Sequence, residues 1–120
     1  MSSFEIKGGN HLHGEIIPQG AKNEALQIIS AVLLTSEEVL VRNIPDIHDV
    51  NKLIELVQLL GTKTERIDRN TCRFKADSVS PDNMMTDEFR RKAASLRGSV
   101  MILGPMLARF GKGCIPQPGG

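Results

Sequence analysis

Val50, Leu53, Ile54, Val57 and Leu60 recur at i, i+3, i+4, i+7 and i+10, the spacing that lines one face of an α-helix. Asp46 stands before the run as an N-cap with Asp49 three residues on, and Gly61 stands after it as the C′ residue, so both ends are marked. A helix with a single apolar stripe must bury it, and the flanking sequence supplies the surface. Val39 to Val41 is a short β-branched run stopped by Ile44-Pro45, because proline has no N–H to give a ladder. Thr62 to Ile67 and Thr71 to Phe74 are two further strand patterns, joined by Asp68-Arg69-Asn70, residue types that accept the backbone angles of a tight turn. This part of the chain is expected to form a small sheet backed by a helix.

The alternation continues on both sides. Residues 4–7 and 12–17 are short strand patterns around Gly8-Gly9-Asn10, which predicts a leading hairpin. Ala25, Leu26, Ile28, Ile29, Val32 and Leu33 form a wide apolar stripe, a helix that packs on a sheet and ends at Thr35-Ser36-Glu37-Glu38. The order through residue 74 is ββαβαββ. Ala76 to Met85 is polar and aperiodic and holds Pro81, which predicts a mobile surface loop. A third helix is predicted from Thr86 toward Leu107, carrying Ala93, Leu96, Val100, Met101 and Leu103, weakened at Gly98 and kinked or broken at Gly104-Pro105. Gly111-Lys112-Gly113 ends that segment, and Cys114-Ile115 opens a strand that runs to Pro118. A shift of 73 residues lays Ile28, Ile29, Leu33, Leu34 and Pro45 over Met101, Ile102, Met106, Leu107 and Pro118, a faint internal repeat that also sets Cys114 over Val41. Cys114 is accordingly expected to be a small buried residue of a core strand.

Chemistry is concentrated at Gly20-Ala21-Lys22-Asn23-Glu24-Ala25-Leu26, where a loop hands over to the first helix. The first N–H groups of a helix lack internal acceptors and carry the positive end of its dipole, so an ammonium beside them makes a site for phosphate or carboxylate. Spacing alone leaves a second reading open, a solvated surface lysine. His11-x-His13 has no further ligands near it and reads as a strand face, with no metal site.

Composition narrows the function classes. Lys plus Arg number 15 against 14 for Asp plus Glu, so no global basic field favours nucleic acid and any anion site must be local. Four Phe without Trp or Tyr leave no platform for stacking bases. Cys72 and Cys114 have neither metal-ligand spacing nor the number for a disulfide framework, which fits a reducing compartment. The N-terminus lacks the pattern of a signal peptide and no apolar run is long enough to span a bilayer, so the expectation is a cytoplasmic protein without membrane association.

Gly-Ala-Lys-Asn after the hairpin pattern, Val39-Leu40-Val41-Arg42-Asn43-Ile44-Pro45, Leu103-Gly104-Pro105-Met106-Leu107-Ala108-Arg109-Phe110-Gly111 and Pro118-Gly119-Gly120 together resemble the UDP-N-acetylglucosamine enolpyruvyl transferase family over the whole length. The resemblance implies an α/β architecture of α+β repeats, small sheets backed by helices, forming part of an inside-out α/β barrel. It implies that residues 1–20 are a leading hairpin that packs on another domain, and that 21–120 are a first repeat and a truncated second one. The family reaction joins C2 of phosphoenolpyruvate to the 3′-hydroxyl of UDP-N-acetylglucosamine by protonation at C3, a tetrahedral phospho-intermediate and loss of phosphate, without cofactor or metal. By that resemblance Lys22 holds phosphoenolpyruvate, Asn23 hydrogen-bonds the reacting oxygens and Arg97 meets the substrates' anionic groups, while Arg109 is structural. Gly98 is expected to give a ligand close access beside Arg97.

The family's general acid, Cys or Asp, immediately follows Pro-Gly-Gly, so it is expected just after Gly120 and no catalytic residue is assigned within the chain. The 120-residue piece alone is expected to be inactive, and the full-length enzyme a monomer. Two alternatives remain. A shikimate-pathway enolpyruvyl transferase shares the fold and chemistry but typically follows the lysine with serine. A non-catalytic anion-binding module of the same fold would grip an anion without turning it over.

Overall fold

The computed structural model describes residues 2–117. Helix α1 (Lys22–Ala31) runs on through a 3₁₀ turn at Val32–Leu34 to strand β1 (Glu38–Val41), and α2 (His48–Leu59) follows. Strands β2 (Lys63–Asp68) and β3 (Thr71–Lys75) form a hairpin. A 3₁₀ turn at Pro81–Met85 leads to α3 (Asp87–Ala94), a 3₁₀ segment at Arg97–Ile102 and α4 (Leu103–Phe110).

The sheet order is β1-β3-β2, with β3 antiparallel to both neighbours. Strands β1 and β2 are therefore parallel and need a crossover, which α2 supplies, and β3 folds back into the gap between them. The inward alternation on β3 puts Cys72 and Phe74 into the core beneath α2. Helix α2 is covered by α1 on one side and by α3 and the 3₁₀ segment on another, so Val50, Leu53, Leu56, Val57 and Leu60 are all fully buried. Leu56 lies outside the predicted stripe because α2 is packed on more than one face. Each such aliphatic side chain contributes about 1.5–3 kcal/mol on burial. The exposed ion pairs, such as Arg73 with Glu38 and Glu65, contribute at most about 1 kcal/mol each, so α2 and its neighbours hold the fold.

Several expectations are corrected. Residues 2–20 contain no strand, and 2–19 run exposed, with Phe4 at 96% and Leu12 at 95% exposure. Two short strands without an apolar face to lie on do not sustain a hairpin. Asp46 does not cap α2: Ile47 N–H donates to the Pro45 carbonyl at 3.0 Å and the helix starts at His48, while the Asp46 carboxylate accepts from Asn51 and Arg69, both at 2.9 Å. The polar stretch 76–85 is tied down, because Met84 is fully buried and the Leu60 carbonyl accepts from Ser80 N–H at 3.1 Å and from Asn83 Nδ2 at 2.9 Å.

The third helix breaks at Ser95-Leu96, ahead of the expected Gly104-Pro105. Pro105 instead sits in the first turn of α4, where its missing N–H removes no helix bond. No strand forms at 114–117, and Pro118 to Gly120 lie outside the described residues. The repeat survives in burial: Ile29 and Ile102, Leu33 and Met106 are fully buried, whereas Ile28 and Met101, Leu34 and Leu107 are exposed. Its secondary structure differs, since the first copy reads helix then 3₁₀ turn and the second reads 3₁₀ segment then helix.

Gly61 sits at φ +114°, and a Cβ there would strike the Ser78 carbonyl oxygen. Gly61→Ala is expected to destabilise the chain by more than about 1 kcal/mol. Gly104, helical and with open space where a Cβ would go, should gain about 0.5–1 kcal/mol on replacement by Ala. Urea midpoints of the two variants check the contrast.

Candidate functional site

Helix α1 begins at Lys22, after an extended Ala21 at ψ 134°, and no side chain caps it. Gly20 makes this start possible: a Cβ there would collide with the Asn43 carbonyl oxygen, so only glycine lets the chain pass the end of β1 and turn into the helix. Lys22 and Asn23 are its first two residues, and neighbours in a helix diverge by about 100°. Helix α2 also starts uncapped, after Ile47, with Asp49 in its first turn. The 3₁₀ segment starts uncapped at Arg97, after an extended Leu96. By contrast, Ser80 caps the turn at Pro81–Met85 and Thr86 caps α3.

The three uncapped starts open onto one cleft of about 680 Å³, bordered by Lys22, Asn23, Asp49, Ser95 and Arg97, with Leu26 among the apolar residues of its wall. That volume lies within the range of about 300–1,000 Å³ of small-molecule sites. The structure thus brings the three predicted site residues, Lys22, Asn23 and Arg97, to a common rim although Arg97 lies 74 positions after Asn23 in the sequence. Free backbone N–H groups at helix starts favour an anion.

Lys22 Nζ stands 2.8 Å from Asp49 Oδ2. The hydrogen bond from Lys22, and then its charge, hold the Asp49 carboxyl below the ordinary carboxylate range. Arg97 is exposed and makes no salt bridge among the described residues. Lys52, one turn along α2, donates from Nζ to Ser95 Oγ at 3.1 Å and ties that helix to the cleft's far lip. Sequence reasoning missed Asp49 and Ser95 as parts of this rim. Asp49 carries the signature of a helix-start acid, and only the packing of α1 on α2 turns it toward Lys22.

Gly98 borders the cleft beside Arg97 and also has a packing role. A Cβ on it would meet Leu26 Cδ1 at 3.2 Å, so its small size lets the 3₁₀ segment pack on α1. Arg109 is structural: its Nη1 donates to the carbonyls of Leu33 at 2.9 Å and Thr35 at 3.2 Å, fastening α4 to the turn after α1. Cys114 is exposed and not in a strand, contrary to expectation, because β1 owes its pairing to β3 and no such partner reaches Cys114 among the described residues. His11 and His13 are exposed, and no group of three or more potential metal-ligating side chains occurs among the described residues. No helix among them is long and apolar enough to cross a membrane.

The pair makes a titration prediction. A carboxyl lowered on folding lends stability that is fully present above its ordinary value and is lost as pH falls through the lowered one. Lys22→Ala should therefore move the Asp49 titration up toward the ordinary 3.8, and carboxyl carbon chemical shifts followed against pH check it.

Residues 6–118 match the family described as EPSP synthase (3-phosphoshikimate 1-carboxyvinyltransferase). Over 120 residues, 100% of this chain, the sequence is 57% identical to the UDP-N-acetylglucosamine 1-carboxyvinyltransferases of Porphyromonas gingivalis and Bacteroides thetaiotaomicron, and covers 28% of each. Identity to the protein of the same name from Wolinella succinogenes is 38% over the same span and share. The chain thus spans 28% of the length of these curated relatives. The crystal structure of the enolpyruvyl transferase NikO from Streptomyces tendae superposes with a TM-score of 0.61 at 24% identity, over 87% of this chain and 23% of that one, a likeness of fold.

Proposed function

Because this chain belongs to the EPSP synthase (3-phosphoshikimate 1-carboxyvinyltransferase) family, we propose that the protein containing it transfers the enolpyruvyl group of phosphoenolpyruvate to the 3′-hydroxyl of UDP-N-acetylglucosamine and releases phosphate. The observation that carries the reading is the single cleft onto which three uncapped helical starts open, with Lys22, Asn23 and Arg97 on its rim. The sugar nucleotide as acceptor is supported by the names of the relatives at 57% identity, and by Asn23 where the shikimate branch typically has serine.

On this reading Lys22 takes the phosphate of phosphoenolpyruvate through charge-assisted hydrogen bonds, and Asn23, turned about 100° away, addresses the reacting oxygens. Arg97, without an ion-pair partner among the described residues, meets the substrates' other anionic groups. Donors fixed around oxygens that gain charge in the transition state account for much of the rate. The general acid belongs to the loop that follows Gly120, and Cys114 does not replace it. Residues 1–20 pack on the other domain, which is in keeping with the exposure of Phe4 and Leu12, and residues 21–120 are a first repeat and part of a second. The enzyme works as a cytoplasmic monomer at the first committed step of peptidoglycan synthesis, and so serves cell-wall growth, cell shape and division.

In the intact protein, Lys22→Ala is expected to weaken phosphoenolpyruvate binding by about 10- to 100-fold, the loss of a hydrogen bond to a charged group worth about 1.5–3 kcal/mol. Lys22→Glu should weaken it further, because repulsion is added to the loss. Calorimetric titration reads both. Unchanged affinity in both variants would return Lys22 to the role of a solvated surface residue, and binding without phosphate release in the wild type would favour a non-catalytic module.

A further inference from the structure

The cleft contains one carboxylate that an anion site would not be expected to tolerate. Asp49 borders it beside Lys22 and Arg97, and its Oδ2 is 2.8 Å from Lys22 Nζ. We propose that Asp49 is a positioning residue, which holds the Lys22 ammonium at the cleft mouth by accepting one of its N–H bonds and leaves the others for an incoming anion. The inference rests on the reading of Lys22 as an anion ligand.

The reasons are geometric. Lysine carries three donors on a flexible four-carbon stem, so an unanchored ammonium with its side chain 49% exposed would spread over many rotamers in water. One accepted bond fixes the stem and still leaves two donors. The anchor is itself rigid, since Asp49 directly precedes Val50 and is followed in the next turn by Leu53, both fully buried on α2. Other charged groups near it do not occupy the same place. His48 and Lys52 lie on its own helix, Lys52 is engaged with Ser95, and Arg97 borders the cleft from the 3₁₀ segment. The rim therefore keeps two cations, Lys22 and Arg97, against one carboxylate.

Two other roles would also explain an acid here, and the variants separate them. An acid serving only the α2 dipole acts through its charge, so Asp49→Asn would then behave like Asp49→Ala. An acid that merely competes with the ligand for Lys22 would tighten binding when removed. A positioning acceptor predicts a third pattern, because asparagine keeps an acceptor oxygen at the same place and alanine does not.

Phosphoenolpyruvate affinity is measured by calorimetry in the intact protein for the wild type, Asp49→Ala, Asp49→Asn and Lys22→Ala, with thermal melts to show that each is folded. The expected result is a loss of about tenfold in Asp49→Ala, most of it recovered in Asp49→Asn. Equal losses in the two Asp49 variants, or no loss or a gain in Asp49→Ala, would overturn the inference. If Lys22→Ala weakens binding while Asp49→Ala does not, only this inference fails. If Lys22→Ala leaves the affinity unchanged, the anion-site reading itself fails.

Discussion

The burial of α2 on more than one face is the constraint on which the rest depends. Its four fully buried positions, Val50, Leu53, Leu56 and Val57, with Leu60 just past its end, force α1, α3, the 3₁₀ segment and the sheet to gather around it. Crossing from β1 to β2, it also leaves the gap that β3 fills. The site follows from the same packing. Helices α1 and α2 lie together with their starts on one side, and the 3₁₀ segment approaches α1 closely because residue 98 has no side chain to hold it off Leu26.

Polar economy sharpens the contrast between the two parts of the molecule. The two buried serines find carbonyls nearby, Ser30 Oγ donating to Leu26 at 2.8 Å and Ser99 Oγ to Ala93 at 2.9 Å, whereas the buried hydroxyls of Thr62 and Thr64 have no partner among the described residues. The hairpin turn is knitted to the loop after β1 by Ile44 N–H donating to the Asn70 carbonyl at 2.8 Å and Asn70 Nδ2 donating to the Ile44 carbonyl at 2.7 Å. At the cleft, helical starts are left without capping side chains, although serine and threonine cap the turns at Ser80 and Thr86. Donors left open together at one place are what an anionic ligand requires.

Local pattern made the elements of the first repeat legible. The period over residues 50–60 and the glycine after it located α2 and its end, since Gly61 adopts the positive φ that only such a residue takes easily. The strands around Asp68-Arg69-Asn70 were equally plain. Features decided by distant partners were not. Residues 4–17 alternate like strands, yet nothing among the described residues pairs with them. Cys114 matches Val41 in the repeat, but a strand is defined by its neighbour, and Val41 has Cys72 opposite where Cys114 has no strand partner among the described residues. The loop 76–85 looks polar because its apolar anchors, the buried Ala76 and Met84 and the half-buried Val79, are too irregularly spaced for periodicity to register. At the site, Lys22, Asn23 and Arg97 were legible through resemblance, while Asp49 and Ser95 became visible only when α1, α2 and the 3₁₀ segment met.

Whether these three helical starts act together as one anion site is read most directly from the backbone amide chemical shifts of the intact protein as phosphoenolpyruvate is titrated in. The largest changes are expected at the first turns of α1 and α2 and at the start of the 3₁₀ segment, residues 22–24, 48–50 and 97–99, with one common binding curve. Changes confined to other surfaces, or separate curves for the three groups, would contradict it.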